Sequence, residues 1–256
     1  MLLAVDIGNT HTVFGIFGDD GELINHWRIS SDPNKTSYEY LIVFERIFEI
    51  YKIDKSKIIG AIISSVVPQL GKSISSCINK LMNIKPLELT DELNLGLEIK
   101  YKNPAEVGAD RIANAVAVKK LFKTPAIVVD FGTAITFDIL SKEGDYLGGM
   151  IMPGFNISAE ALHHQTAKLP QVQVKKPSEL IGKDTITSIQ SGMYYGFIGA
   201  VEGNIQRIKK ELNFGECDII ATGGLAGIMS EDTNIFTSIE PFLTLYGLKY
   251  LWELNS

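Results

Sequence analysis

Three short runs of largely apolar and β-branched residues, LLAVDIG, THTVFGIF and ELINHWRIS, open the chain within residues 2–30, the first nearly continuous in apolar residues and the last alternating with polar ones. Runs of this length and composition predict three strands, and Gly18-Asp19-Asp20-Gly21 supplies a tight turn between the second and the third. Strands joined so closely run antiparallel. The period then changes. Over residues 37–53, Leu41, Phe44, Ile47, Phe48 and Tyr51 recur at helical spacing, with Ser37 as the expected N-cap. The continuous apolar run KIIGAIISSVVP (57–68) predicts a buried strand ended by Pro68.

The second half repeats this order. AIVVDFG and TAITFDIL predict two strands, KEGD a turn, YLGGMIMPG a third strand and FNISAEALHHQTAKL a helix. With one residue deleted after Gly132, Thr10 aligns with Thr133, Phe14 with Phe137, Ile16 with Ile139, Phe17 with Leu140, Asp20 with Glu143 and Gly21 with Gly144. The constant offset predicts an internal duplication, although alternating hairpins share some of these positions by patterning alone. A duplication implies two related α/β domains facing one another, with Asp6 and Asp130 ending the first strand of each and lining one cleft. Further helices are predicted over 108–122 and 186–212, a strand-turn-helix over 217–229, and an amphipathic terminal helix in LTLYGLKYLWEL. No low-complexity linker separates the halves, and the expected domains are 1–117 and 118–256.

Composition narrows the class of partner. The chain has 256 residues, 45% of them apolar and 21% charged, the balance of a globular protein with a sizeable core. A net charge of -6 disfavours a nucleic-acid backbone as the main partner, because Lys and Arg drive that interaction. No run is long enough to span a membrane. Cys77 and Cys217 stand far apart, outside any metal-type spacing, and read as buried small residues. The first residues carry Asp6 within their apolar run and no basic segment before it, so a cytoplasmic location is expected.

The chemistry centres on two matching turns, Asp6-Ile7-Gly8-Asn9-Thr10 and Asp130-Phe131-Gly132-Thr133. A Gly-containing turn brings backbone N–H groups close to phosphate oxygens, and a carboxylate beside them suits a hydrated cation such as Mg²⁺. Asp-x-Gly also simply ends many strands. ATGGLAG (221–227) is a third glycine turn, which suits a nucleotide lying against backbone or merely a tight connection. Gly71-Lys72-Ser73 resembles the end of a P-loop, but Val66 occupies the position of the required earlier glycine and Pro68 interrupts the loop. Within YKNPAEVGADR (101–111), Gly108-Ala109-Asp110-Arg111 sets a carboxylate and a guanidinium at a helix start. Asp110 can accept a hydroxyl proton and Arg111 can hold a substrate carboxylate. A macrodipole-favoured Asp beside a solvated Arg explains the same residues. None of the four histidines, His163 and His164 included, is assigned a catalytic role.

As a set, DIGNTHTVFGIF, ISSVVP, YKNPAEVGADR, VDFGTAIT, GGMIMPG, QTAKLP, GKDTITSIQSGMYYG, ATGGLA and LTLYGL closely resemble the type III pantothenate kinases. The matches run in order over nearly the whole chain. The resemblance implies two duplicated ribonuclease H-like domains of the acetate and sugar kinase/Hsc70/actin superfamily with an interdomain cleft. It implies ATP-dependent phosphorylation of pantothenate, the first step of coenzyme A biosynthesis, in a homodimer using Mg²⁺ and a monovalent cation, K⁺ or NH₄⁺. Carried onto this chain, Asp6, Ile7, Gly8, Asn9, Thr10, His11, Thr12 and Val13 take the ATP phosphates. Thr133 contacts ATP, Asp130 binds the monovalent cation, and Asp110 is the proton acceptor. Tyr101, Gly108, Ala109, Asp110, Arg111 and Thr185 line the pantothenate pocket, with Thr185 reaching substrate on the other subunit. One departure is Lys35-Thr36-Ser37-Tyr38-Glu39-Tyr40, where the family usually carries Arg-Thr with an acidic residue before Glu-Tyr. The alternatives are a regulator of transcription on the same fold and a kinase of another substrate. Asp110 and Asp130, which a regulator could dispense with, speak against the first, and the full GADR segment with Tyr101 and Thr185 against the second.

Overall fold

A computed structural model describes residues 1–90 and 92–256. Its elements are β1 (Leu2–Ile7), β2 (His11–Phe17), β3 (Leu23–Ser30), α1 (Ser37–Ile50), β4 (Gly60–Ser65), α2 (Pro68–Met82), β5 (Leu87–Glu88) and α3 (Ala109–Leu121). Then follow β6 (Ala126–Phe131), β7 (Ala134–Leu140), β8 (Tyr146–Pro153), α4 (Phe155–His164), α5 (Thr185–Glu211), β9 (Asp218–Thr222), α6 (Ala226–Met229), β10 (Ser238–Ile239) and α7 (Leu243–Asn255). Two compact units result, one of Met1–Leu121 with Leu243–Ser256, the other of Phe122–Phe242. Residue 117, the expected end of the first domain, lies inside α3, and α7 groups with the first unit.

Each unit is built on a five-stranded mixed sheet, ordered β3-β2-β1-β4-β5 in one and β8-β7-β6-β9-β10 in the other. The duplication extends to individual hydrogen bonds. In the first hairpin Gly18 N donates to Glu22 O at 2.9 Å and Gly21 N to Gly18 O at 3.1 Å. In the second, Ser141 N donates to Asp145 O at 2.9 Å and Gly144 N to Ser141 O at 3.0 Å. Gly21 and Gly144, aligned by the repeat, both turn with positive φ, at 82° and 78°. The pairing also slips at matching places, between Ile16 and Phe17 and between Ile139 and Leu140.

In the first unit, alternate residues Leu3, Val5 and Ile7 share a core with Phe14, Ile16, Ile63 and the inner faces of α1 and α2. The intervening residues of β1, among them Asp6, point to the other face, where α3 and α7 pack. The second unit buries Val129, Phe131 and Phe137 against Tyr194, Ile198 and Ile205 of α5.

Helix α1 starts one residue earlier than the sequence suggests. Thr36 is its N-cap, because Glu39 then falls at N3 and returns a bond to the Thr36 N–H at 2.8 Å, completing a capping box. Helix α2 has no counterpart in the sequence reading. Pro68 begins it at a position where its missing N–H is not needed, and Gly71-Lys72-Ser73 lies within the helix. Cys77 is buried, and burial pushes its thiol up to about 12, whereas Cys217 is only half-buried.

Candidate active-site residues

Asp6 lies near the end of β1, opposite Val13 on β2 and Ser64 on β4. One of its carboxylate oxygens is withdrawn from solvent. The turn that follows is closed by Gly8 N donating to His11 O at 3.0 Å. Ser31 Oγ donates to Gly8 O at 2.6 Å and shares a 2.9 Å bond with Thr12 Oγ1. The Thr12 hydroxyl is therefore buried and engaged in holding the turn. Asn9, Thr10 and His11 are exposed, Ile7 is buried and Val13 half-buried. Burial, with the Arg28 charge, holds the His11 imidazole below its ordinary value. The imidazole is therefore neutral at neutral pH.

Helix α3 carries the second group. Asp110 sits in its first turn, with Arg111 N donating to Asp110 Oδ1 at 2.9 Å. Burial pushes the Asp110 carboxyl up, outweighing the hydrogen bonds and the Arg111 charge that lower it. Arg111 is only 7% exposed, so it is not the solvated arginine that would accompany a merely macrodipole-favoured Asp. Gly108 O accepts the Ile112 N–H at 3.1 Å, and Tyr101, 38% exposed, lies in the loop before. From behind, α7 braces this helix. Thr244 Oγ1 donates to Asn114 Oδ1 at 2.8 Å, and a Cβ on Gly247 would stand 1.9 Å from Ala113 O.

In the second unit Asp130 occupies the matching place on β6, opposite Thr136 on β7 and Thr222 on β9. Gly223 is pressed against it. A Cβ there would lie 2.3 Å from Asp130 Oδ1, and the backbone turns with φ +90°. The glycine turn at 221–227 thus packs on the carboxylate, a relationship that the motif alone did not reveal. Thr133 is exposed on the β6–β7 turn, and its carbonyl accepts the Gly154 N–H at 3.1 Å. Thr185 opens α5 behind the N-cap Asp184, which accepts from Thr187 N at 2.9 Å. It lines a pocket of about 570 Å³ with Leu169, Gly182, Lys183, Asp184, Ser188 and Ile189. His163 is tied to Leu169 O at 2.7 Å.

The expected residues therefore fall into two groups. Asp6 to Val13, Tyr101 and Gly108 to Arg111 belong to the first unit, and Asp130, Thr133 and Thr185 to the second. Among the described residues no cluster of three or more His, Cys, Asp or Glu could hold a metal ion unaided. No described helix is long and apolar enough to cross a membrane.

The family model for type III pantothenate kinase matches residues 2–207. The chain belongs to the type III pantothenate kinase family. It is therefore a kinase, and transferase chemistry with ATP in coenzyme A biosynthesis fits that membership. Solved structures share the fold at low identity. A candidate Baf family transcriptional activator from Campylobacter jejuni is 20% identical, with 98% of this chain and 97% of that one covered at a TM-score of 0.57. The activator of 2-hydroxyisocaproyl-CoA dehydratase from Clostridium difficile, with bound ADPNP, is 12% identical, with 98% and 96% covered at 0.59. A candidate 2-dehydro-3-deoxygalactonokinase from Sinorhizobium meliloti is 11% identical, with 98% of both chains covered at 0.60. These likenesses show a shared fold, an α/β architecture of two similar units.

Proposed function

We propose that the protein transfers the γ-phosphoryl group of ATP to the primary hydroxyl of pantothenate, giving 4'-phosphopantothenate and ADP, with Asp110 as general base. The observation that carries this reading is the Asp110 carboxyl. Burial raises its proton affinity while the group stays at the open end of α3, which suits a base that must take a hydroxyl proton near neutral pH. As the oxygen attacks phosphorus, its proton passes to Asp110 and the bond to the ADP oxygen breaks. Arg111, beside that base, is the guanidinium that would pair with the pantothenate carboxylate. Tyr101, Gly108 and Ala109 would complete that pocket.

Asp6 through Val13 would hold the phosphates, the exposed Asn9 and Thr10 through side chains and the buried Ile7 and half-buried Val13 through backbone. Thr133 would contact ATP. Asp6 fits a Mg²⁺ delivered with ATP, since that ion usually takes one or two carboxylates together with substrate phosphates and water. Such an ion would neutralise charge on the phosphates. Asp130 would hold K⁺ or NH₄⁺. We further read the protein as a homodimer in which Thr185, on the rim of its pocket, reaches substrate bound to the partner subunit.

Purified protein supplied with MgATP and K⁺ is expected to release ADP only when pantothenate is added. Equal turnover with sugars or acetate, or none with pantothenate, would overturn the reading.

A further inference from the structure

Ser64 is opposite Asp6 in the parallel pairing of β4 with β1, so both side chains leave the sheet on the same face. The serine is 0% exposed and its hydroxyl finds no hydrogen-bond partner among the described residues. An unsatisfied buried hydroxyl opposes folding, and an alanine, such as Ala61 in the same strand, would avoid that penalty. Its neighbour makes the contrast clear. Ser65 Oγ donates to Val67 O at 2.9 Å and accepts from Val67 N at 3.1 Å, so that hydroxyl is accounted for by the turn into α2.

The surroundings of Ser64 point to a role at the site. Its face of the sheet is the one on which α3 packs, and α3 carries Asp110. The second unit repeats the juxtaposition, with Asp130 opposite Thr222, which is 2% exposed. In both units a buried hydroxyl residue thus stands opposite the carboxylate near the end of the first strand.

We propose that Ser64 is a positioning residue for the hydrated divalent cation that accompanies ATP at Asp6, an inference that rests on the kinase reading above. A serine hydroxyl can accept from a metal-bound water and donate to a carboxylate at once. Mg²⁺ keeps several waters and takes few protein ligands, so groups outside its first shell do much of the orienting. Ser64 gains its hydrogen bonds when the cation and triphosphate bind, and the ligand-free protein bears the cost of an idle hydroxyl. It does not touch the phosphoryl group in transfer.

The test compares the parent enzyme with Ser64→Ala by calorimetric titration of ATP, once with Mg²⁺ and once with EDTA, together with thermal unfolding of both ligand-free proteins. The variant is expected to melt at or above the parent's temperature, to bind MgATP about tenfold more weakly, and to bind metal-free ATP equally well. With MnATP, the water-proton relaxation rate of the bound complex is expected to differ between the two proteins. Equal MgATP affinity would overturn the proposal, as would equal losses with and without metal, the mark of a general packing defect. If the parent binds no MgATP, the kinase reading falls and takes this inference with it. If the parent binds normally and the variant matches it, only the role of Ser64 is lost.

Discussion

The hydroxyl of Thr244 donates to Oδ1 of Asn114 at 2.8 Å, joining residues 130 positions apart. Asn114 lies one helical turn beyond Asp110, so α7 fixes the helix on which the expected base is carried. One turn further along α7, Gly247 leaves no room for a side chain against Ala113 O. Gly247→Ala is expected to cost about 3 kcal/mol, the upper end of the usual range for overpacking, because the atom it meets is backbone. Thr244→Val, which removes this donor to a buried amide, is expected to cost about 1–3 kcal/mol. Urea unfolding of both variants measures this, and losses under 0.5 kcal/mol would mean that α7 is not a brace.

Replacing the proposed base, Asp110, separates catalysis from stability. Asp110→Asn is expected to lower kcat by about 10²–10⁴-fold without loss of fold. Because burial raises this carboxyl, folding favours its protonated form. The stability it confers is complete below the unfolded value near 3.9 and is lost as pH rises through the folded one. The uncharged asparagine escapes that loss. The variant should therefore melt higher than the parent at pH 7, and the difference should shrink toward pH 3. In the parent, the acid limb of kcat/KM should lie above the ordinary carboxylate range. Full activity in the variant would remove the base assignment.

Asp130 and Gly223 give a paired prediction. Asp130→Asn should abolish stimulation by K⁺. Gly223→Ala, whose methyl would collide with Asp130 Oδ1, should raise the K⁺ concentration for half-stimulation by about 10–100-fold. Activity measured across a K⁺ series decides it. An unchanged K⁺ response in both variants would place the cation elsewhere.

Tyr146 donates to Asp138 Oδ1 at 2.9 Å, both side chains being buried in the second unit. Tyr146→Phe keeps the ring and removes that donor, and an expected cost of about 1–3 kcal/mol follows. Calorimetric unfolding would show it as a lower melting temperature.

How far the sequence exposes this structure depends on the range of the forces involved. The hairpins were legible because strand alternation and turn glycines are local, and the repeat of Gly21 at Gly144 became a repeat of hydrogen bonds. Helix α2 was not, since Pro68 was read only as an end, although it serves equally as a first helical residue. The cap moved from Ser37 to Thr36 because Glu39 decides between two adjacent hydroxyls. At the site, the acidic turns and the GADR segment could be picked out by residue type. The idle hydroxyl of Ser64 and the pressure of Gly223 on Asp130 depend on strand pairing and a neighbouring turn, which residue type does not report.

The placement of α7 also governs the order in which the protein can mature. The second unit is a continuous stretch, Phe122–Phe242, and all its strands are available as soon as that stretch has been made. The first unit, begun earlier, still lacks its brace until residues 243–256 appear. During synthesis, the half carrying Asp6 and Asp110 therefore waits with one sheet face and α3 uncovered while the later half closes. A nascent chain stalled before Leu243 would expose that apolar surface to chaperones and proteases, and competence for phosphoryl transfer would have to wait for α7.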